Sequence, residues 1–154
     1  VNNASILGPK GPIEQQDAQR WRDTIAINVH GVFEVTRHAI GLLRRGTCPV
    51  ILNISSSVGR QGRAGWGAYS VSKFGLEGLT QILADELAGD GVAVASLNPG
   101  GTATEMRAQA YPDEDPDTLP QPGEVAATIL ELADTLTPEN NQGEYSSREM
   151  MDTQ

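Results

Sequence analysis

Cysteine is almost absent from this chain of 154 residues, in which Cys48 is the single example. One cysteine excludes an internal disulfide framework and argues against a zinc site built on thiolates. No apolar run approaches the roughly 18 residues that a membrane-spanning helix needs. We therefore expect a protein of the reducing cytoplasm with no membrane segment.

Basic residues are also scarce, with 11 lysines and arginines against 20 aspartates and glutamates and a net charge of −9. Nucleic acids and anionic membrane surfaces both require basic patches, so neither is expected as the main partner. The histidines His30 and His38 share one predicted helix without a partner cluster, so no metal site is expected. The chain has no Gly-x-Ser-x-Gly motif, which disfavours an α/β-hydrolase.

Hydrophobic patterns divide the chain into alternating helices and strands within one domain. They predict helices at residues 17–45, 68–88 and 123–136, strands at 50–54 and 92–97, and a short edge strand at 143–147. Short strand-to-helix connections are typical of βαβ units, so the predicted fold class is α/β with a doubly wound parallel sheet. Residues 98–122 contain five prolines and show no periodicity, which predicts a loop.

Small, polar or glycine residues follow the ends of the predicted strands. Asn2-Asn3-Ala4 would follow a strand ending at Val1, Ser55-Ser56-Ser57 follow one strand, and the segment 98–104 follows the next. Ligands of open α/β sheets bind outside the carboxyl ends of the strands. The three segments together predict a ligand site at one sheet edge, whereas each alone is also compatible with an ordinary turn.

Tyr69 and Lys73 are four residues apart in a predicted helix, so their side chains share one face. An ammonium this close to a phenol is expected to lower the pKa of the tyrosine and to suit it to acid–base catalysis. Ser56 could bind a carbonyl oxygen beside that phenol. The alternative for the pair alone is a surface lysine beside a half-buried tyrosine.

Asn28 lies in the apolar stripe of the first predicted helix, where asparagine is a poor residue because it competes for backbone hydrogen bonds. Its amide could point into a functional site. Periodicity alone favours the alternative, which is a core amide whose hydrogen bonds are satisfied within the protein.

In this order and at these separations, these residues resemble the classical short-chain dehydrogenase/reductase family. The resemblance extends to about Tyr145, and the segments 55–69 and 98–102 are most similar to a YciK-like bacterial subgroup of oxidoreductases. It implies the C-terminal part of a Rossmann fold. It also implies NAD or NADP as the cofactor and an activity that interconverts a carbonyl and an alcohol.

The resemblance further implies roles for individual residues. Tyr69 would be the acid–base, Lys73 would lower its pKa and hold the nicotinamide ribose, and Ser56 would position the substrate oxygen. Asn28 would anchor a water that serves as a proton relay. Cofactor contacts are implied for Asn3, Ala4, Tyr69, Lys73, Pro99, Gly100 and Thr104.

Two departures from the family are visible. Ser5 stands where the family usually has glycine after Asn-Asn-Ala, which adds a Cβ near the cofactor. The glycine-rich turn that binds the cofactor's phosphates is not found in residues 1–154. We therefore expect a partial nucleotide-binding domain that is inactive alone, and the choice between NAD and NADP stays open.

Two other functions would also use this fold. One is a non-catalytic NAD(P)-binding sensor, which would not need all four of the residues Asn28, Ser56, Tyr69 and Lys73. The other is an epimerase or dehydratase, which the Asn2-Asn3-Ala4 motif disfavours.

The resemblance implies a homo-oligomer joined through the two long helices. Arg60, Arg63 and Trp66 are expected to form a polar rim and an aromatic wall at the substrate pocket.

Overall fold

The computed structural model describes residues 1–153 and contains a three-stranded parallel sheet in the order β1-β2-β3. The strands are β1 (Val50–Ile54), β2 (Ala93–Asn98) and β3 (Glu144–Ser146). On the other side of β1, Asn2 donates its backbone N–H to the Leu52 carbonyl (2.8 Å) and accepts from the Ile54 N–H (3.0 Å). This pairing brings the first residues of the chain alongside the end of β1.

Helices cover both faces of this sheet. The helices are α1 (Ala18–Ile25), α2 (Gly31–Leu43), α3 (Gly67–Leu87), α4 (Glu105–Ala110), α5 (Pro122–Thr135) and α6 (Ser147–Asp152). On one face, Leu52 and Leu97 pack with Leu132 of α5; on the other, Val94 packs with Leu83 of α3. The α/β fold class is therefore confirmed. No helix within residues 1–153 combines the length and the apolarity needed to cross a membrane.

The first long helix contains a feature that periodicity did not predict. Five residues, Ala26–His30, form a π turn between α1 and α2, so the predicted helix at 17–45 is continuous in direction but changes its hydrogen-bond pattern in the middle. Single π turns inside α-helices are frequent at functional sites. This one contains Asn28.

The prediction of a loop for residues 98–122 is wrong at α4. The Thr104 hydroxyl accepts from the Arg107 backbone N–H (3.2 Å) and caps this six-residue helix. A helix this short is less than two turns long, so it cannot display an apolar stripe with helical period. The predicted helix at 123–136 and the edge strand at 143–147 are confirmed as α5 and β3, whereas α6 was not predicted.

Candidate active site

A cavity of about 530 Å³ lies at the carboxyl ends of β1 and β2. It is the place where open parallel sheets bind their ligands. Of the catalytic and cofactor-binding residues predicted from the sequence, all except Asn28 line it: Asn3, Ala4, Ser56, Tyr69, Lys73, Pro99, Gly100 and Thr104. The three segments that follow the strand ends thus meet at one site. Each of them alone was also compatible with an ordinary turn.

The end of β1 and the start of α3 hold the catalytic candidates together. The Lys73 Nζ donates to the Ile54 carbonyl (2.7 Å), and the Ser70 hydroxyl donates to the Val58 carbonyl (2.5 Å). Gly59 allows this approach, because a Cβ at that position would lie 2.7 Å from the Cβ of Lys73. The turn after β1 can therefore pack directly on the helix that carries Tyr69 and Lys73.

Lys73 is a buried cation with 3% of its surface exposed. Burial lowers the pKa of its ammonium from 10.5 to about 8, and the nearby Glu77 carboxylate opposes this change. Lys73 therefore keeps its proton at neutral pH. A buried ammonium at the cavity wall is suited to hold hydroxyl or phosphate oxygens of a ligand.

The sequence-based prediction for the pKa of Tyr69 has the wrong sign. Burial raises the pKa of this phenol above its ordinary value of 10, and only a side-chain hydrogen bond with Ser56 opposes the rise. The Lys73 Nζ lies 5.5 Å from the centre of the Tyr69 ring and donates to the Ile54 carbonyl instead. Tyr69 is consequently a neutral phenol at pH 7, the form that can donate a proton.

Asn28 lies in the π turn, with 1% of its surface exposed, and does not line the cavity. Its Oδ1 accepts from the Ile6 N–H (2.8 Å), and its Nδ2 donates to the Ile6 carbonyl (2.9 Å) and the Ser72 hydroxyl (3.0 Å). Both amide hydrogens are therefore bonded within the protein. Asn28 is thus a core amide with satisfied hydrogen bonds, which periodicity alone favoured. The Asn28 amide positions the Ile6 segment against α3.

Trp66 lines the cavity and packs with aromatic and cationic side chains around it. Trp66 lies 5.9 Å from Tyr69 and 5.7 Å from Tyr111, measured between ring centres. The Lys10 Nζ lies 4.1 Å from the centre of the Trp66 ring and donates to the Ala110 carbonyl at the end of α4 (3.0 Å). These contacts hold α4 over the cavity by a cation–π interaction and a terminal hydrogen bond.

Sequence reasoning missed Lys10 and misplaced two arginines. Lys10 stands alone in an irregular segment, so no spacing could have pointed to its contacts 100 residues away in the chain. Trp66 forms the expected wall, whereas Arg60 and Arg63 do not line the cavity. Arg60 turns away from it and forms an ion pair with Glu77 (3.1 Å).

The sequence profile described as short chain dehydrogenase matches residues 1–115. This chain belongs to the short-chain dehydrogenase family. The oxidoreductase YciK of Escherichia coli K12 is 44% identical over 132 residues, which are 86% of this chain and 52% of YciK. The cis-4-hydroxycyclohexanecarboxylate dehydrogenase of Sinomonas cyclohexanicum is 33% identical over 141 residues, which are 86% of this chain and 57% of that enzyme.

Solved structures agree with this assignment. A short-chain dehydrogenase of Escherichia coli CFT073, crystallised with NADPH, superposes with a TM-score of 0.89 at 41% identity, over 94% of this chain and 60% of that one. A Shigella flexneri short-chain dehydrogenase with NADP gives a TM-score of 0.87 at 40% identity, over 95% and 61%. The chain thus spans a little more than half the length of its relatives. The resemblance to YciK-type proteins is confirmed.

The cavity has features that fit the nicotinamide end of such a cofactor. The Thr102 hydroxyl lines it, is buried, and has no hydrogen-bond partner among the described residues. A buried polar atom without a partner costs free energy, which a ligand amide or hydroxyl would recover. Lys73 offers a cation to the same cavity.

Proposed function

We propose that this protein is an NAD(P)(H)-dependent oxidoreductase that interconverts a carbonyl and an alcohol. The observation that carries the proposal is the meeting of Ser56, Tyr69 and Lys73 at the end of β1, in one cavity of a short-chain dehydrogenase. NADP is favoured over NAD because similar proteins were solved with NADPH and NADP. All described elements are proposed to belong to one nucleotide-binding domain, since the two helix layers share a single sheet.

The cofactor supplies or accepts the hydride, and the protein orients the partners and handles the proton. Ser56 holds the carbonyl oxygen of the substrate beside Tyr69, which lines the same cavity. The neutral Tyr69 phenol donates its proton to that oxygen as the carbonyl is reduced, and it accepts the proton in the reverse direction. Lys73 contributes a fixed positive charge that stabilises the phenolate formed in the reducing direction.

A further set of residues binds the cofactor in this proposal. Lys73 and Tyr69 would hold the ribose next to the nicotinamide, and the Thr102 hydroxyl would offer a hydrogen bond to the carboxamide. Pro99, Gly100 and Thr104 would flank the nicotinamide. Asn3 and Ala4 would contact the adenosine side of the cofactor.

The test is a turnover assay of the native protein with NADPH or NADH and a panel of aldehydes and ketones, followed at the nicotinamide absorbance. We expect cofactor oxidation with at least one class of carbonyl, and a preference for NADPH. Tight cofactor binding without turnover in either direction would support a sensor. Conversion of a substrate without net cofactor oxidation would support an epimerase.

We also propose that the protein is a homo-oligomer assembled through α2 and α3. The outward faces of these helices carry large apolar side chains that are 41–61% exposed, namely Phe33, Val35, Val71, Phe74 and Ile82. Such a patch across two adjacent helices is typical of a protein–protein interface. The setting we propose is the reducing cytoplasm, in keeping with the single, exposed Cys48.

Phe74→Asp is expected to convert this oligomer into a monomer, because it places a charge in an apolar interface. Loss of one buried aromatic side chain and burial of a carboxylate together weaken association by at least about a hundredfold. Sedimentation velocity of the native protein measures the change. Leu130→Asp on α5 is the matched control, since Leu130 is 66% exposed but lies on another helix. A monomeric wild type, or equal effects of both variants, would contradict the proposed interface.

A further inference from the structure

A second cluster of buried polar side chains lies next to the active site and takes no part in the reaction proposed above. At its centre is Glu77, which is 7% exposed and lies one helical turn after Lys73 on α3. The Glu77 Oε1 accepts from the Ser55 hydroxyl (2.5 Å) and the Arg60 Nε (3.1 Å). The Oε2 accepts from the Ser96 hydroxyl (2.7 Å). The Glu77 carboxylate is therefore held by one cation and two hydroxyl donors.

The cluster is joined to the active site through the backbone of β1. Three successive residues at the end of this strand meet three side chains spaced one turn apart on α3. The Ile54 carbonyl holds Lys73, the Ser55 hydroxyl holds Glu77, and Ser56 lines the cavity together with Tyr69. The position of the Glu77 carboxylate is therefore fixed by the same strand end that fixes the two reacting groups.

We propose that Glu77, clamped by Arg60, Ser55 and Ser96, is a positioning residue that keeps Lys73 protonated inside the active site. The carboxylate supplies the negative charge that a buried ammonium needs, and the clamp prevents it from turning onto the ammonium directly. Only the consequence for turnover rests on the function proposed above, since the protonation of Lys73 is a property of the protein itself.

The charges around Lys73 support this assignment. Burial lowers the pKa of Lys73 to about 8, and the charge of the Glu77 carboxylate opposes this decrease. On the same helix Tyr69 is neutral, and Asn28, which donates from the π turn to Ser72 of α3, is uncharged. The Arg60 guanidinium, which pairs with Glu77, also pairs with Glu144 of β3 (3.3 Å), and Arg107 is a further cation at the cavity. Without the Glu77 charge, Lys73 would lose its proton closer to neutral pH.

A purely structural role for Glu77 is the alternative. The Arg60 Nη2 also donates to the Ser96 hydroxyl (3.1 Å) and the Tyr145 carbonyl (3.3 Å), so the cluster ties β3 to α3. If Glu77 served only to tie β3 to α3, loss of its charge would lower the stability of the fold without changing the titration of Lys73. The test therefore needs a direct measurement on Lys73.

NMR of the native protein labelled with [13Cε]lysine gives that measurement, because the Cε chemical shift follows the charge on Nζ. The Lys73 signal is the one lost in Lys73→Arg, and the exposed Lys10 serves as the internal reference. In Glu77→Gln we expect the midpoint of the Lys73 titration to move to lower pH while the Lys10 midpoint does not move. Glu86→Gln, an exposed glutamate on the same helix, should leave both unchanged. An unchanged Lys73 midpoint in Glu77→Gln would overturn the proposal.

Arg60→Met is a second variant in case Glu77→Gln does not fold. It removes the competing cation but leaves Glu77 held by the two serine hydroxyls, so the Lys73 midpoint is expected to move to higher pH. An unchanged midpoint would again overturn the proposal.

Turnover assays give a further readout. The alkaline limb of the pH profile of kcat/KM should move with the Lys73 midpoint. Glu77→Gln should therefore lose roughly threefold or more activity at alkaline pH. If the protein shows no turnover, the turnover prediction fails, but the NMR measurement still tests the role of Glu77.

Discussion

Replacing Tyr69 by phenylalanine is expected to lower kcat by roughly two to four orders of magnitude. The substitution removes the hydroxyl that we propose as the proton donor to the carbonyl oxygen, and it leaves the ring in place beside Trp66. Because Lys73 and the Ile54 carbonyl keep their contact, the affinity for NADPH should change by no more than a few fold. Steady-state kinetics and a fluorescence titration of the cofactor measure the two effects separately.

Tyr145→Phe is the matched control for this experiment. The Tyr145 hydroxyl donates to the Asn140 carbonyl (3.3 Å), and Tyr145 does not line the cavity. The same chemical change should therefore leave kcat nearly unchanged. Turnover of Tyr69→Phe within a few fold of the wild type would show that another group handles the proton. Equal losses in both variants would point to a general effect of the hydroxyl on folding.

The raised pKa of Tyr69 also predicts different pH dependences for carbonyl reduction and alcohol oxidation. Burial keeps the phenol protonated at neutral pH, which is the form that reduction of a carbonyl requires. Oxidation of an alcohol requires the phenolate, so its rate should rise as the pH increases. The spacing of Tyr69 and Lys73 indicated that the two side chains share a helix face, but it could not show that the ammonium points to the Ile54 carbonyl.

The larger elements and the site could be read from the sequence because both depend on local signals. The buried strands appear as apolar runs such as Val50–Ile54, and each is followed by the small or polar residues that line the cavity. The order of strand and helix then fixes which ends of the strands meet. The prediction of a parallel sheet needs no knowledge of distant contacts.

The parts that could not be predicted depend on contacts between distant residues. The π turn at Ala26–His30 leaves the apolar stripe intact, so the hydrophobic pattern does not reveal it. A glutamate in a helix is normally expected to face solvent. The burial of Glu77 depends on its bonds to Arg60, Ser55 and Ser96, which the local sequence does not reveal. Arg60 was expected at the pocket rim because no local signal relates it to a glutamate 17 residues later.

Replacing Lys73 by methionine is expected to separate stability from activity. Folding lowers the pKa of Lys73 from 10.5 to about 8, so between these pH values the unfolded chain holds a proton that the folded chain has lost. The free energy of unfolding of the wild type should therefore rise across this window, by about 3 kcal/mol if the whole change in pKa is realised. Below about pH 8 both states are protonated, and the full cost of the buried charge is present.

Lys73→Met removes this cost, so the variant should lose the alkaline rise in stability and should unfold at a higher urea concentration near neutral pH. Loss of the hydrogen bond to Ile54 offsets part of the gain, by about 1 kcal/mol. Turnover should fall at least about a hundredfold, since the cation beside Tyr69 and the cofactor ribose is gone. Lys10→Met removes an exposed cation and should retain the alkaline rise. A wild-type stability that does not change with pH in this window would contradict the burial of a charged Lys73. A destabilised and inactive Lys73→Met would show that Lys73 supports the fold itself, instead of being kept for catalysis at the expense of stability.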